Sequence, residues 1–392
     1  MKLFTCTSCG QLVFFENVLC THCGHQLAYL PDKRIVSAVE LPADAPNGSA
    51  VVALSAGGKG GSYHLCANYL GQQVCNWAVP DSDPNPFCLS CRLDDTIPNL
   101  SNAKSHEAWH RLEQAKRRLL YTLLGLRLPV ESRVDRPVNG LAFSFKEDDA
   151  SEKVFTGHSD GLITINVAEA DDPFREKRRL DLGETYRTLL GHFRHEIGHY
   201  YWDRLIKDGA HHAAFRDVFG DERVDYDESL KRHYAEGAPA DWQTNFVSSY
   251  ASMHPWEDFA ESWAHYLHIV ETLDTARNYG MALRPSPVGG GKGPRILVTW
   301  HLDFDDFDDL IAAWIPLTTA LNSMNRAMGL ADLYPFVLSE RAISKLRFVH
   351  DVVENASKEP PPARPARPAL RGGAEPKGTR DSAPSPELVS SR

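Results

Sequence analysis

Apolar residues recur at helical spacing from Ser105 onward: Trp109, Leu112, Leu119, Leu120 and Leu123 share one face, with Lys116 at its edge, where the aliphatic stem is tolerated. That pattern predicts a helix. Leu141, Phe143 and Phe145 alternate as in a half-buried strand, and Gly161 to Val167 reads as a second strand ending at Ala168. A long helix is expected next. Asp181 stands three before Glu184, an Asp version of the capping box, and Leu189, Leu190, Phe193, Ile197, Tyr200, Tyr201 and Leu205 keep the helical period. Pro255 suits the first turn of a later helix. The acidic run Asp303 to Asp309 reads as the charged face of an amphipathic helix carrying Phe304, Phe307, Leu310, Ile311 and Trp314. Pro285 to Pro294 contains three consecutive glycines and is expected to be a loop.

The chain's first hundred residues look different. All eight cysteines lie before residue 92, and only short apolar stretches separate them. Composition decides how to read them. At 42% hydrophobic and 24% charged residues the chain has the proportions of a globular protein. A net charge of -10 argues against a general nucleic-acid binder, and the basic trio Lys116, Arg117, Arg118 reads as a solvated helix face. No apolar run is long enough to span a bilayer, and the start shows no secretory pattern, so a cytoplasmic protein without a membrane partner is expected. In a reducing compartment paired cysteines serve as metal ligands rather than disulfides.

Cys6, Cys9, Cys20 and Cys23 form two Cys-x-x-Cys-Gly turns, the arrangement that brings four thiolates around one zinc ion. Cys66, Cys75, Cys88 and Cys91 form a second group with one such pair, in which His22 or His64 could stand in for a sulfur. Pro42 to Gly61 has the Pro, Ala and Gly content of a linker. The expected organisation is a zinc ribbon over 1–30, a linker over 31–61 and a second zinc module over 62–100, each folded by its metal. The large remainder runs over 101–355, and the Pro-rich composition of 356–392 predicts a disordered tail.

The chemistry centres on His195-Glu196-Ile197-Gly198-His199. Histidines four apart project from one helix face toward a single ion, with Glu196 beside them. A second half of the site lies downstream, where Glu257 and Glu261 again stand four apart. One carboxylate can complete a two-histidine, one-glutamate zinc site with an open position for water, while the other orients a ligand imidazole. Residue types leave the order open, and His254, His265 or His268 are further candidates for third ligand. His192 reads as a surface or packing histidine, because a fourth protein ligand would close the site.

These segments resemble the gluzincin metallopeptidases, in which a glutamate beyond His-Glu-x-x-His is the third ligand. The active-site pattern is most similar to that of the catalytic domain of anthrax lethal factor, through Tyr250 followed by Glu257-Asp258-Phe259-Ala260-Glu261. That resemblance implies Glu257 as ligand, Glu261 as the partner of a ligand imidazole, and Tyr250 as the hydroxyl that stabilises an oxyanion. The whole chain resembles a bacterial family of zinc-binding metallopeptidases with an amino-terminal zinc ribbon. The implied fold is α+β: zinc-ribbon or knuckle modules followed by a mainly helical, zincin-like metallopeptidase domain with a small sheet.

The function expected is hydrolysis of peptide bonds with one catalytic and two structural zinc ions and Glu196 as general base. Gly161 to Val167 is expected at the cleft edge, pairing with an extended protein or peptide substrate. Two alternatives use the same residues: a zinc hydrolase of non-peptide amides, and an interaction or nucleic-acid-binding protein whose ribbons hold a partner while the helical domain is inactive.

Overall fold

The computed structural model describes residues 2–42, 50–55, 58–149, 153–181, 188–284, 296–297 and 306–358. Expectations about the 285–294 loop and the capping box at Glu184 lie outside them, as does most of the tail. Two short strands, β1 (Phe4–Thr5) and β2 (Leu12–Val13), pair antiparallel beneath the first cysteine turns. The strands β3 (Gln26–Leu30), β4 (Ile35–Glu40), β5 (Ala50–Ser55), β6 (Gly58–Leu65) and β7 (Ala78–Pro80) then form an antiparallel sheet in chain order, with the single turn α1 (Ala67–Leu70) between the last two.

That sheet corrects the expected linker. Val36, Ala38, Val39, Val51 and Ala53 are buried, and 35–40, 50–55 and 58–65 of the span read as a connector and its flanks are strands. The sheet carries both cysteine groups: β3 follows Cys23 directly, and β7 lies between Cys75 and Cys88. They are therefore not two modules joined flexibly.

After a 3-10 turn at Cys91–Leu93 comes β8 (Asp94–Thr96), then the long helix α2 (Ala103–Gly125). Strand β9 (Ala142–Lys146), strand β10 (Gly157–Ser159) and strand β11 (Leu162–Asn166) complete a sheet ordered β10-β11-β9-β8. Strand β8 precedes the expected boundary at 100/101 and pairs with β9 beyond it, so the two regions share this sheet. Both faces of β9 are buried, not one, because it is a central strand flanked by β8 and β11 in parallel. Strand β11 is interior too, and β10 occupies the edge assigned to it. Asn166 ends β11 one residue early: its side chain accepts a hydrogen bond from Ala168 N at 2.9 Å and starts the 3-10 turn Val167–Ala170.

The rest is helical. It comprises α3 (Asp172–Asp181), α4 (Leu189–Tyr201) running into a π-turn at Trp202–Ile206, α5 (His212–Phe219), α6 (Tyr226–Glu236) and α7 (Trp242–Asn245). A 3-10 turn at Tyr250–Ser252 precedes α8 (Pro255–Asn278). The short pair β12 (Ala282–Leu283) and β13 (Ile296–Leu297), α9 (Phe307–Ala327) and α10 (Glu340–Lys358) follow. Phe307, Leu310, Ile311 and Trp314 are buried on α9 as their spacing required. Asp181 ends α3 instead of capping α4; the cap is Thr188, whose Oγ1 accepts Gly191 N at 3.1 Å.

Helix α2 joins the front sheet to the helices. Tyr121 packs against Phe4, Phe15 and Tyr29, with ring centroids 5.3 to 6.3 Å away, and accepts a hydrogen bond from Lys2 N. At the next position, Thr122 Oγ1 donates to Glu271 of α8 at 2.8 Å. The basic trio is not a solvated face. Lys116 is fully buried, bonded to Asp94 and to Glu113 (2.6 Å), and Arg117 is buried against Val74 O, while only Arg118 reaches the surface, paired with Glu16. Burial opposes the Lys116 charge, but Asp94 and Glu113 outweigh it and hold its pKa above the ordinary lysine range.

Candidate metal centre

Helix α4 presents His195 and His199 one turn apart, and α8 crosses it closely. Gly198 permits the crossing: a Cβ there would stand 2.9 Å from Ala260 Cα and 3.2 Å from Ala260 O, inside contact distance of a helix backbone. His254 caps α8 by accepting Trp256 N at Nδ1 (3.1 Å), and Pro255 takes the first position, where its missing N–H costs nothing. Glu257 thereby falls in the first turn, facing α4.

Three ligand atoms converge there. His195 Nε2 lies 2.9 Å from Glu257 Oε2 and 3.2 Å from His199 Nε2, and His199 Nε2 lies 3.4 Å from the same oxygen. Glu261 reaches the other side of His195, its Oε1 accepting from Nδ1–H at 2.7 Å, and its Oε2 accepts from Ser248 Oγ at 2.5 Å. A proton held on Nδ1 leaves the Nε2 lone pair facing inward. Burial opposes charge on His195, yet Glu257 and Glu261 raise its pKa well above the usual histidine range, drawing positive charge to Nε2, where a metal ion would take the place of the proton. Burial alone would raise Glu261, but His195 lowers it to about 2. This surplus of negative charge around an inward-facing imidazole pair fits a divalent cation of the kind that accepts nitrogen and oxygen donors.

The geometry separates the candidates. Glu257 faces both imidazoles, whereas Glu261 meets only Nδ1 of His195. His254 is engaged as a cap and bonds Val224 O, His265 bonds the Tyr334 hydroxyl at 2.6 Å, and His192 stands 3.3 Å from Glu169. His268 lies farther along α8, near Trp314 and Tyr334. Glu196 and Tyr250 border a cavity of about 390 Å³ that extends past Glu261 to His265 and Phe336. The Tyr250 ring lies 6.0 Å from that of His195, and burial raises its phenol pKa, keeping the hydroxyl protonated.

Three neighbours escaped the sequence reading. Trp256 lies over the His199 ring with centroids 3.6 Å apart, Ser248 anchors Glu261, and the Tyr226 hydroxyl donates to Glu257 Oε1 at 2.8 Å. Trp256 and Ser248 flank residues already singled out. Tyr226 stands 31 positions before its partner, and no local pattern marks it.

The cysteine groups are each assembled. All four sulfurs of Cys6, Cys9, Cys20 and Cys23 lie within 4.8 Å of one another, as do those of Cys66, Cys75, Cys88 and Cys91. In the first group Gly10 and Gly24 take φ of +77° and +75° and bond back to Cys6 O and Cys20 O, the left-handed step that closes each turn. His64 is occupied with Asn85 O, while His25 meets the first group, its Nδ1 3.3 Å from Cys23 Sγ.

Comparison with known proteins agrees with this layout. A zinc-ribbon domain family matches residues 3–102, and a family described as "Putative zinc-binding metallo-peptidase" matches residues 105–352. Uncharacterized proteins of Mycobacterium bovis and of two Mycobacterium tuberculosis strains are each 41% identical over 370 residues, which is 94% of this chain and 99% of theirs. No solved structure matches the chain, so the likeness to lethal factor rests on the short active-site pattern. Among the described residues no helix is long and apolar enough to cross a membrane. With a zinc ribbon in front and the helices that carry His195, His199 and Glu257 behind it, this chain belongs to that zinc-binding metallopeptidase family.

Proposed function

We propose that the chain hydrolyses peptide bonds in a protein or peptide substrate, with zinc held by His195, His199 and Glu257. The observation that carries this reading is the convergence of those three ligand atoms, with His195 and Glu196 in the wall of a cavity large enough for a substrate side chain. When bound, zinc supplies Lewis-acid polarisation and lowers the pKa of a coordinated water toward about 7. Glu196 takes the proton from the attacking water and returns it to the leaving nitrogen. The Tyr250 hydroxyl, protonated across the physiological range, donates to the developing oxyanion. Glu261 and Ser248 hold His195 in the tautomer that the site needs. A purely structural ion would have no use for Glu196, which separates this reading from a ribbon-only interaction protein.

The test compares wild type, Glu196→Gln and Tyr250→Phe on a proteome-derived peptide library. Metal analysis should return three zinc ions per chain for all three proteins. Cleavage should vanish in Glu196→Gln and fall about 100-fold in Tyr250→Phe. Undiminished cleavage by Glu196→Gln would remove the proposal.

A further inference from the structure

A carboxylate has two oxygens, and a zinc site that must also admit water works best when only one of them is given to the ion. Glu257 directs Oε2 at both imidazoles, while Oε1 accepts the Tyr226 hydroxyl at 2.8 Å. We propose that Tyr226 is the positioning residue of the metal centre: its phenol holds Glu257 by Oε1 and so keeps Oε2 aimed at the ion's place between the imidazoles. This rests on the reading that His195, His199 and Glu257 hold zinc.

The surroundings make Tyr226 a rigid donor. It is the first residue of α6, whose cap Asp225 accepts Glu228 N at 2.8 Å. Its ring packs edge-on against His254 (5.3 Å) and Trp256 (6.1 Å). His254 Nε2 donates to Val224 O at 3.1 Å, so the cap of α8 is tied to the segment that delivers Tyr226. The start of α6 and the start of α8 are thus fastened together, and the phenol meets the ligand carboxylate from the side away from His195.

Tyr226→Phe removes one oxygen and keeps the ring. Full-length wild type, Tyr226→Phe, Tyr226→Leu and His195→Ala would be equilibrated in zinc buffers of graded free zinc, with bound zinc counted and melting temperature recorded. His195→Ala identifies the ion that belongs to this centre. Tyr226→Phe should weaken that ion about 10- to 100-fold, leave the two cysteine-bound ions unchanged and melt in zinc-saturated buffer within a few degrees of wild type. Zinc binding by Tyr226→Phe within twofold of wild type overturns the inference, and a loss confined to Tyr226→Leu does the same, since the ring alone would then matter. If wild type and His195→Ala hold the same number of ions, the zinc reading itself fails.

Discussion

Lys116 lies on the buried face of α2 with no solvent exposure, and its ammonium joins Asp94 of β8 to Glu113. Its neutral replacement Lys116→Met would leave two carboxylates facing each other in an apolar setting. We expect a loss of about 3–5 kcal/mol in urea unfolding, the usual result of removing one partner from a buried pair; a change below 1 kcal/mol would mean that water reaches the cluster. Glu222 makes a more exposed pairing with Arg216 and His212, and the Arg216 hydrogen bond chiefly lowers its pKa from 4.5 to about 2. A depressed carboxylate pKa gives stability that is complete above the unfolded value and lost as pH falls toward the folded one. The melting-temperature gap between wild type and Glu222→Gln should therefore stay constant above pH 5 and shrink between pH 4.5 and 3.

At the level of elements, the crossing of α4 and α8 sets the candidate metal centre. A side chain at Gly198 would meet the Ala260 backbone, which cannot rotate away, so α8 would have to retreat and carry Glu257 with it. Gly198→Ala is expected to lose about 1–3 kcal/mol of stability despite alanine's better helix propensity, because overpacking outweighs propensity. It should also weaken zinc at His195 and His199. Zinc titration with calorimetry checks both effects, and a stabilised variant with normal zinc affinity would show that the helices have slack. The edge position of β10 moves the expected backbone-pairing surface from β11 to Gly157–Ser159. Its His158 ring lies 6.4 Å from His199, so a peptide added to that edge would pass the site.

On the scale of the molecule, the described residues share a main hydrophobic cluster that runs from Phe4 to Ala356. The ribbon is fused to the helices through Tyr121, Lys116 and β8, not tethered to them. A fragment beginning at Ala103 would lack Asp94 and all of β8 and would expose the Tyr121 ring. It is expected to be aggregated or protease-sensitive where the intact chain is neither. Cys88→Ser should act from a distance in the same way, lowering the melting temperature of the whole and not of the ribbon alone; two separate transitions by calorimetry would contradict this.

Local spacing alone determined much of this protein. Cys-x-x-Cys-Gly requires a left-handed glycine to close each turn, and histidines four apart must share a helix face, so those groups were legible before any fold was known. The helical periods of α2, α4 and α9 were legible for the same reason. Only the tertiary structure decided the fate of Lys116, the two-sided burial of β9, the strands where a linker was expected, and the pairing of Tyr226 with Glu257. Each depends on what lies opposite in space. A residue's spacing fixes the direction in which it points from its own element, while burial, charge pairing and strand order are properties of the element that meets it.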